Sequence, residues 1–157
     1  MSEKDFVQKV EGLKKQLYKI AYLYLGNESN ALEAVDEAIY KALKSLKKLR
    51  QPEYFNTWLI RILINECKKE LKRLTKFIVK EDIGQDEVTY DYDALPLREA
   101  IAKLPIQLRE VIILRYFSGH TLGETAELLD IPQGTVVTRQ RRALALLRLE
   151  LREEDVV

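Results

Sequence analysis

The chain has 157 residues, of which 46% are apolar and 32% charged. That composition supplies a packed core under a charged surface and excludes wholesale disorder. No run approaches 18 uncharged apolar residues, residues 1–5 are charged, and there is one cysteine and one histidine. No transmembrane helix or secretory signal is therefore expected, an internal disulfide is impossible, a His/Cys zinc site is argued against, and a reducing, cytoplasmic setting fits.

The net charge of +1 conceals an asymmetry: residues 1–80 carry a net +7, residues 81–93 a net −6, and residues 94–157 balance. A basic first half, an acidic joint and a balanced second half predict two modules with a linker. In the first helix Phe6, Val10, Leu13, Leu17, Ile20 and Tyr24 recur every three or four residues, a helical face that strand alternation does not fit. Gly26 and Asn27 end it. A second helix is expected from Asn30, where Asn30 and Glu33 read as a capping box, with Leu32, Val35, Ile39, Leu43, Leu46 and Leu49 as its buried stripe. Residues 50–53, with Pro52, break it. A third helix is expected over 54–74, with Phe55, Leu59, Ile62, Cys67 and Leu71 inward. Three such helices can share one core.

Residues 76–95 lose the pattern and read as the linker. Four shorter helices follow, over 97–104, 107–117, 121–130 and 135–151. Thr121 and Glu124 form another capping box, and residues 131–134 make a turn. The fold class is thus all-α, two small helical domains: 1–78, an acidic linker 79–95, and 96–157.

The last two helices have helix-turn-helix proportions. Val136, Ala143, Leu147 and Leu151 form the buried stripe of the second; Thr138, Arg139, Arg141 and Arg142 lie mostly away from it. Residues 134–148 hold four arginines and no acid. Such a helix suits the major groove, with Arg and Thr against base edges and phosphates; a solvated arginine face on a structural hairpin would leave the same pattern. In the first module Arg61, Lys68, Lys69, Lys72, Arg73, Lys76 and Lys80 follow Tyr54, Phe55 and Trp58. Cations beside flat rings suit single-stranded nucleic acid, unless Phe55 and Trp58 are core. Cys67, at helical spacing from Leu63 and Leu71, is expected in the core, and His120 in a surface turn. No phosphate-binding glycine loop, HExxH or Ser/His/Asp set is present, so no enzyme is expected and no cofactor is called for.

Both halves resemble the extracytoplasmic-function (ECF) sigma factors of bacterial RNA polymerase, over residues 10–151. In the C-terminal half the resemblance is carried by Leu104-Pro105, Arg109-Glu110-Val111, Leu114-Arg115-Tyr116-Phe117, Ala126-Glu127-Leu128-Leu129, Gly134-Thr135-Val136, Thr138-Arg139 and Arg142-Ala143. In the N-terminal half it is carried by Ala21, Gly26-Asn27, Ala31, Glu37, Trp58-Leu59, Arg61-Ile62 and Asn65. The resemblance implies that Glu33, Asp36, Glu37 and Tyr40 dock on the clamp of the polymerase β′ subunit, with the β flap a further contact. It implies that the loop 50–56, through Arg50, Tyr54 and Asn56, captures a base flipped out of the −10 promoter element. Trp58, Arg61, Asn65, Lys69, Lys72 and Arg73 would face −10 DNA. Thr121, Thr135, Thr138, Arg139, Arg141 and Arg142 would face the −35 element, Arg139 taking a phosphate or an ion pair with Glu124. It also implies an anti-sigma factor, often a membrane protein. The chain departs from the family at Lys69, usually acidic, at Asp36, usually Gln, at Val137, often basic, and at Thr125, commonly Ile. Two other readings stay open on the residues: a helix-turn-helix regulator acting without polymerase, and a sigma-like decoy that binds proteins but not DNA.

Overall fold

The computed structural model describes the backbone of residues 1–81 and 95–155 and the side chains of residues 1–76 and 96–148. The acidic stretch expected as a linker falls almost wholly on residues 82–94, outside the described residues. The chain divides into two compact units, Met1–Gln85 and Asp86–Val157, and among the described residues every regular element is helical.

Helix α1 (Glu3–Leu25) is capped by Ser2, whose hydroxyl accepts from the Asp5 N–H at 3.1 Å. It stops at Gly26, where φ is 68°; only glycine takes that left-handed conformation without cost. Phe6, Val10, Leu17, Ile20 and Tyr24 are buried as the spacing requires, while Leu13, expected with them, is half-buried. Helix α2 (Glu28–Lys44) begins earlier than Asn30, because Asn27 is the cap and its side chain accepts from the Asn30 N–H at 3.0 Å. Its stripe differs too. Ala31, Ala34, Val35, Ala38 and Ala42 are buried, while Leu32 and Leu43 are 50% and 41% exposed. Helix α2 packs on both α1 and α3, and small side chains let helix axes approach more closely than leucines allow. The expected leucine stripe is therefore turned outward, with Ile39, Leu46 and Leu49 half-buried.

Two 3-10 turns, Leu46–Lys48 and Pro52–Tyr54, lead to α3 (Phe55–Glu81). This helix runs past Leu74, since residues 75–81 contain neither glycine nor proline. Phe55 has no exposed surface and meets Phe6 edge-on, with ring centroids 5.7 Å apart. Leu59, Ile60, Leu63, Ile64 and Cys67 complete the face; Ile62 and Leu71, expected inward, are half-buried at its margins. Burial pushes the Cys67 thiol up to about 12, so it stays a neutral, inert thiol.

In the second unit α4 (Leu95–Lys103) ends before Pro105, and Arg109 closes it by donating to the carbonyls of Ala102 and Leu104 at 2.7 and 3.1 Å. The helix expected over 107–117 is two pieces: α5 (Ile106–Ile112) and a π-helical turn, Ile113–Phe117. Helix α6 (Leu122–Leu129) carries the expected capping box between Thr121 and Glu124. Asp130 then turns the chain with a left-handed φ of 55°. Helix α7 (Gln133–Asp155) starts before Thr135, because the Pro132 carbonyl already accepts from the N–H groups of Thr135 and Val136. Val136, Ala143 and Leu147 are buried against α4, α5 and α6; Leu151 lies outside the described side chains.

Thr125 on α6 is fully buried and its hydroxyl has no hydrogen-bond partner among the described residues. An unmade buried hydrogen bond costs about 1–3 kcal/mol. Thr125→Val keeps the shape and removes the orphan, so it should raise the stability of this unit by about 1 kcal/mol in a urea melt. A lower midpoint would mean that the hydroxyl has a partner in solution.

Candidate nucleic-acid interface

Helix α7 presents an exposed arc on the side away from its buried stripe. At 100° per residue, Thr138 lies between Arg141 and Arg142, with Thr135 and Arg139 continuing the arc. Thr138, Arg141 and Arg142 are exposed; Thr135 and Arg139 are half-exposed. The Thr138 hydroxyl donates to the Gly134 carbonyl at 3.1 Å. Its hydrogen is engaged, so toward a ligand it acts as an acceptor, the partner an adenine or cytosine amino group needs. Thr121, exposed at the cap of α6, is occupied with the box: its hydroxyl accepts from the Glu124 N–H at 3.1 Å, and its own N–H donates to the Glu124 carboxylate at 2.9 Å. That carboxylate is committed to the cap and not to Arg139.

Behind the arc sits a residue to which sequence reasoning gave no role. Arg115, in the π-helical turn, donates from Nε to Gln140 Oε1 at 2.9 Å and from Nη1 to the His120 carbonyl at 2.8 Å. In the sequence it is a charged residue inside the apolar run Ile112-Ile113-Leu114-Arg115-Tyr116-Phe117, within a segment that carries the family resemblance. His120 is half-buried, not a free surface residue, with Nε2 2.9 Å from the Ser118 hydroxyl.

Burial lowers the His120 pKa, with Glu124 opposing more weakly. The Thr121 N–H and hydroxyl hold the Glu124 carboxyl below its ordinary value. Both folded-state values are depressed, so the unfolded chain binds more protons, and stability is full above the unfolded values and falls with pH. For His120 the loss begins as pH drops through about 6.5. For Glu124 it comes lower, in the carboxylate range. Melting this unit between pH 7.5 and 5.5 should show a falling midpoint that His120→Asn flattens; an unchanged slope in the variant would assign the loss elsewhere.

In the first unit Trp58, Arg61, Asn65, Lys69 and Lys72 share one face of α3, stepping by three and four residues. Arg61, Asn65, Lys69 and Lys72 are exposed and Trp58 is half-buried, its ring 5.9 Å from Phe55. Phe55 itself is core and takes no part in the face. Arg50, Tyr54 and Asn56 are exposed beside it. The Pro52–Tyr54 turn is pinned from α1: Lys9 Nζ donates to the Pro52 carbonyl at 3.3 Å and lies 5.4 Å from the Phe55 ring centroid. Arg73, four residues after Lys69 and exposed, borders this stripe, its Nε donating to both Glu70 carboxylate oxygens at 3.2 Å.

Glu70 belongs to a different surface. Glu33, Asp36, Glu37 and Tyr40 of α2, with Glu66 and Glu70 of α3, line one groove of about 520 Å³. Lys41 is ion-paired with Glu66, which raises the lysine pKa. Lys41 and Arg73 thus tie up Glu66 and Glu70, while the α2 acids and Tyr40, 56% exposed, face outward.

Residues 10–77 match the family described as sigma-70 region 2, and residues 94–147 the family described as sigma-70, region 4. The chain is 35% identical to the RNA polymerase sigma factor SigV of Bacillus subtilis, over 91% of this chain and 89% of that protein. It is 29% identical to the ECF RNA polymerase sigma factor SigW of the same organism, over 94% and 89%. Its fold is that of the sigma factor RpoE solved in complex with the anti-sigma factor NepR from Bartonella quintana (TM-score 0.84, 24% identity, 95% of this chain and 98% of that one). It is also that of CnrH in complex with the cytosolic domain of CnrY (TM-score 0.77, 22% identity, 97% and 90%). A helix-turn-helix arc, a basic aromatic face and an acidic groove in one small chain, with both sigma regions matched in order, place it: the chain belongs to the ECF sigma factors of the sigma-70 family.

Proposed function

We infer that the protein binds core RNA polymerase and directs promoter-specific initiation, by reading duplex −35 DNA with one unit and capturing melted −10 DNA with the other. The observation that carries this is the pairing, in one chain, of an exposed Thr/Arg arc on a groove-sized helix with a stripe of Trp58, Arg61, Asn65, Lys69 and Lys72 beside an exposed loop. A regulator that reads only duplex DNA has no use for the second surface.

Residues 1–78 carry docking and melting, residues 96–157 the upstream reading, and 79–95 joins them. The groove acids Glu33, Asp36 and Glu37, with Tyr40, meet the β′ clamp; the second unit contacts the β flap. Thr138, Arg141 and Arg142 touch base edges, and Thr121, Thr135 and Arg139 the backbone of −35 DNA. Flipping a base costs a few kcal/mol of stacking, repaid by Arg50, Tyr54 and Asn56, while the α3 stripe tracks the single strand. Arg73, engaged with Glu70, borders the docking groove and reaches DNA only at the edge of that stripe. The net charge of +1 releases few counterions, so free binding to DNA is weak and polymerase supplies the affinity. The chain acts without catalysis or cofactor. It works in the bacterial cytoplasm, where an anti-sigma factor, in some cases membrane-bound, holds it inactive; no described helix is long and apolar enough to cross a membrane itself.

Run-off transcription tests this. Core polymerase from the source bacterium is supplied with the protein and sheared genomic DNA, and RNA 5′ ends are mapped. Discrete starts sharing two upstream elements support the reading. Tight binding to core without starts would indicate a decoy, and no binding to core would leave a simple DNA-binding regulator.

A further inference from the structure

We propose that Arg115 is a positioning residue for −35 recognition: it fixes the rotation of α7 through Gln140 without itself touching DNA. The proposal rests on the promoter-reading function above and goes beyond it, since Arg115 lies outside the exposed arc.

Three observations converge. Gln140 lies on the inward side of α7, at helical spacing from the buried Val136, Ala143 and Leu147, and between Arg139 and Arg141 in sequence. A bond to its side chain therefore holds the recognition helix from behind, at the level where the reading side chains project. The same guanidinium grips the carbonyl of His120, the residue immediately before the Thr121 cap of α6. One planar group thus ties the entrance of the first helix of the motif to the middle of the second. Arginine's rigid fork suits such a two-point clamp in a way lysine's single flexible ammonium does not.

The clamp itself is held by the π-helical turn. There the Ser118 N–H donates to the Ile113 carbonyl at 2.9 Å and the His120 N–H to the Leu114 carbonyl at 2.9 Å. Ile113 and Leu114 are fully buried, so the backbone from which Arg115 projects is anchored in the core. π-turns within α-helices recur at functional sites, and here the wider turn carries the clamp. Hydrophobic packing alone leaves a helix some freedom to rotate by a fraction of a turn. Base readout tolerates little of that, because side chains must sit within about half an ångström of productive geometry.

The test uses the full chain with core polymerase, on a promoter recovered by the run-off assay, with its upstream element either native or scrambled. The readout is the ratio of transcripts from the two templates. Arg115→Met should lower that ratio about tenfold, the scale of one lost base contact, while leaving the scrambled-template transcript unchanged. Gln140→Ala should lower it in the same direction, and the double variant should be no worse than Arg115→Met alone. Arg115→Lys, keeping the charge and one bond, should recover part of the ratio. If Arg115→Met does not fold, Gln140→Ala and Arg115→Lys decide by the same ratio. Additive losses in the double variant would overturn the proposal, because Arg115 would then act independently of Gln140. An equal fall on both templates, or an unchanged ratio, would also overturn it. A wild-type chain that transcribes the two templates equally, or neither, refutes the promoter-reading function itself, a result separate from these.

Discussion

Reversing Arg141 and Arg142 together, as Arg141→Glu with Arg142→Glu, abolishes transcription that depends on the upstream element while the protein remains folded. Both side chains are exposed on the side of α7 away from the buried stripe of Val136, Ala143 and Leu147. Their loss leaves no cavity, and the thermal midpoint should stay within a few degrees of the wild type. Each well-placed arginine contact to a base is worth about 1–3 kcal/mol. Losing two therefore costs at least about thirtyfold. Reversal adds repulsion from the phosphates, so the expected loss exceeds a hundredfold. The slope of log affinity against log salt should fall by about one for each contact that had neutralised a phosphate. Run-off transcription on native and scrambled templates separates the outcomes. Normal use of the upstream element by the double variant would remove Arg141 and Arg142 from recognition, and a wild-type chain that binds core but starts no transcript would favour the protein-binding decoy.

The second large effect is on stability. Phe55→Ala should cost about 3–5 kcal/mol, the range for emptying a buried aromatic site. Phe55 has no exposed surface, packs edge-on against Phe6 and lies under Lys9, so its removal opens the end of the three-helix unit where α1 meets the start of α3. A small domain holds only about 5–15 kcal/mol in total, so this change takes a large share. Trp58, the sole tryptophan, stands 5.9 Å from the Phe55 ring and reports the loss by fluorescence in a urea titration. Phe55→Leu should recover about half of it. A loss below about 1 kcal/mol would show that this end of the unit repacks around the gap.

Much of this molecule is legible in the amino-acid sequence, and each misreading has its own physical cause. Apolar spacing finds α1 because a helix buried on one side shows its face directly: Phe6, Val10, Leu17, Ile20 and Tyr24 are all in the core. The Thr121–Glu124 box is found because capping is local chemistry. Helix α2 misleads because it is sandwiched between two partners. Its inner seam is then chosen for size, and alanine carries little hydrophobic signal, so the louder leucines are mistaken for the core. Asn27 is missed as the cap because Asn30 and Glu33 imitate the pattern three residues later. Of the site, the exposed α7 arc and the α3 stripe follow from periodicity, and Glu33, Asp36, Glu37 and Tyr40, expected together on α2, do line one groove. That Arg73 pairs with Glu70 is a choice between neighbouring partners that spacing alone does not decide. The Arg115 clamp depends on a π-turn, and no residue pattern in the run 112–117 announces one.

The alanine seam of α2 has a consequence for how such a chain changes over generations. Ala31, Ala34, Ala38 and Ala42 fill the gap between α1 and α3, so enlarging any of them forces the neighbours apart and is penalised whatever its effect on partners. Leu32, Asp36, Tyr40 and Leu43 are exposed on the same helix and add little to the core. One helix therefore carries two independently inherited texts, an inner one read by the fold and an outer one that the fold leaves free. The outer face can change substitution by substitution without passing through an unfolded intermediate.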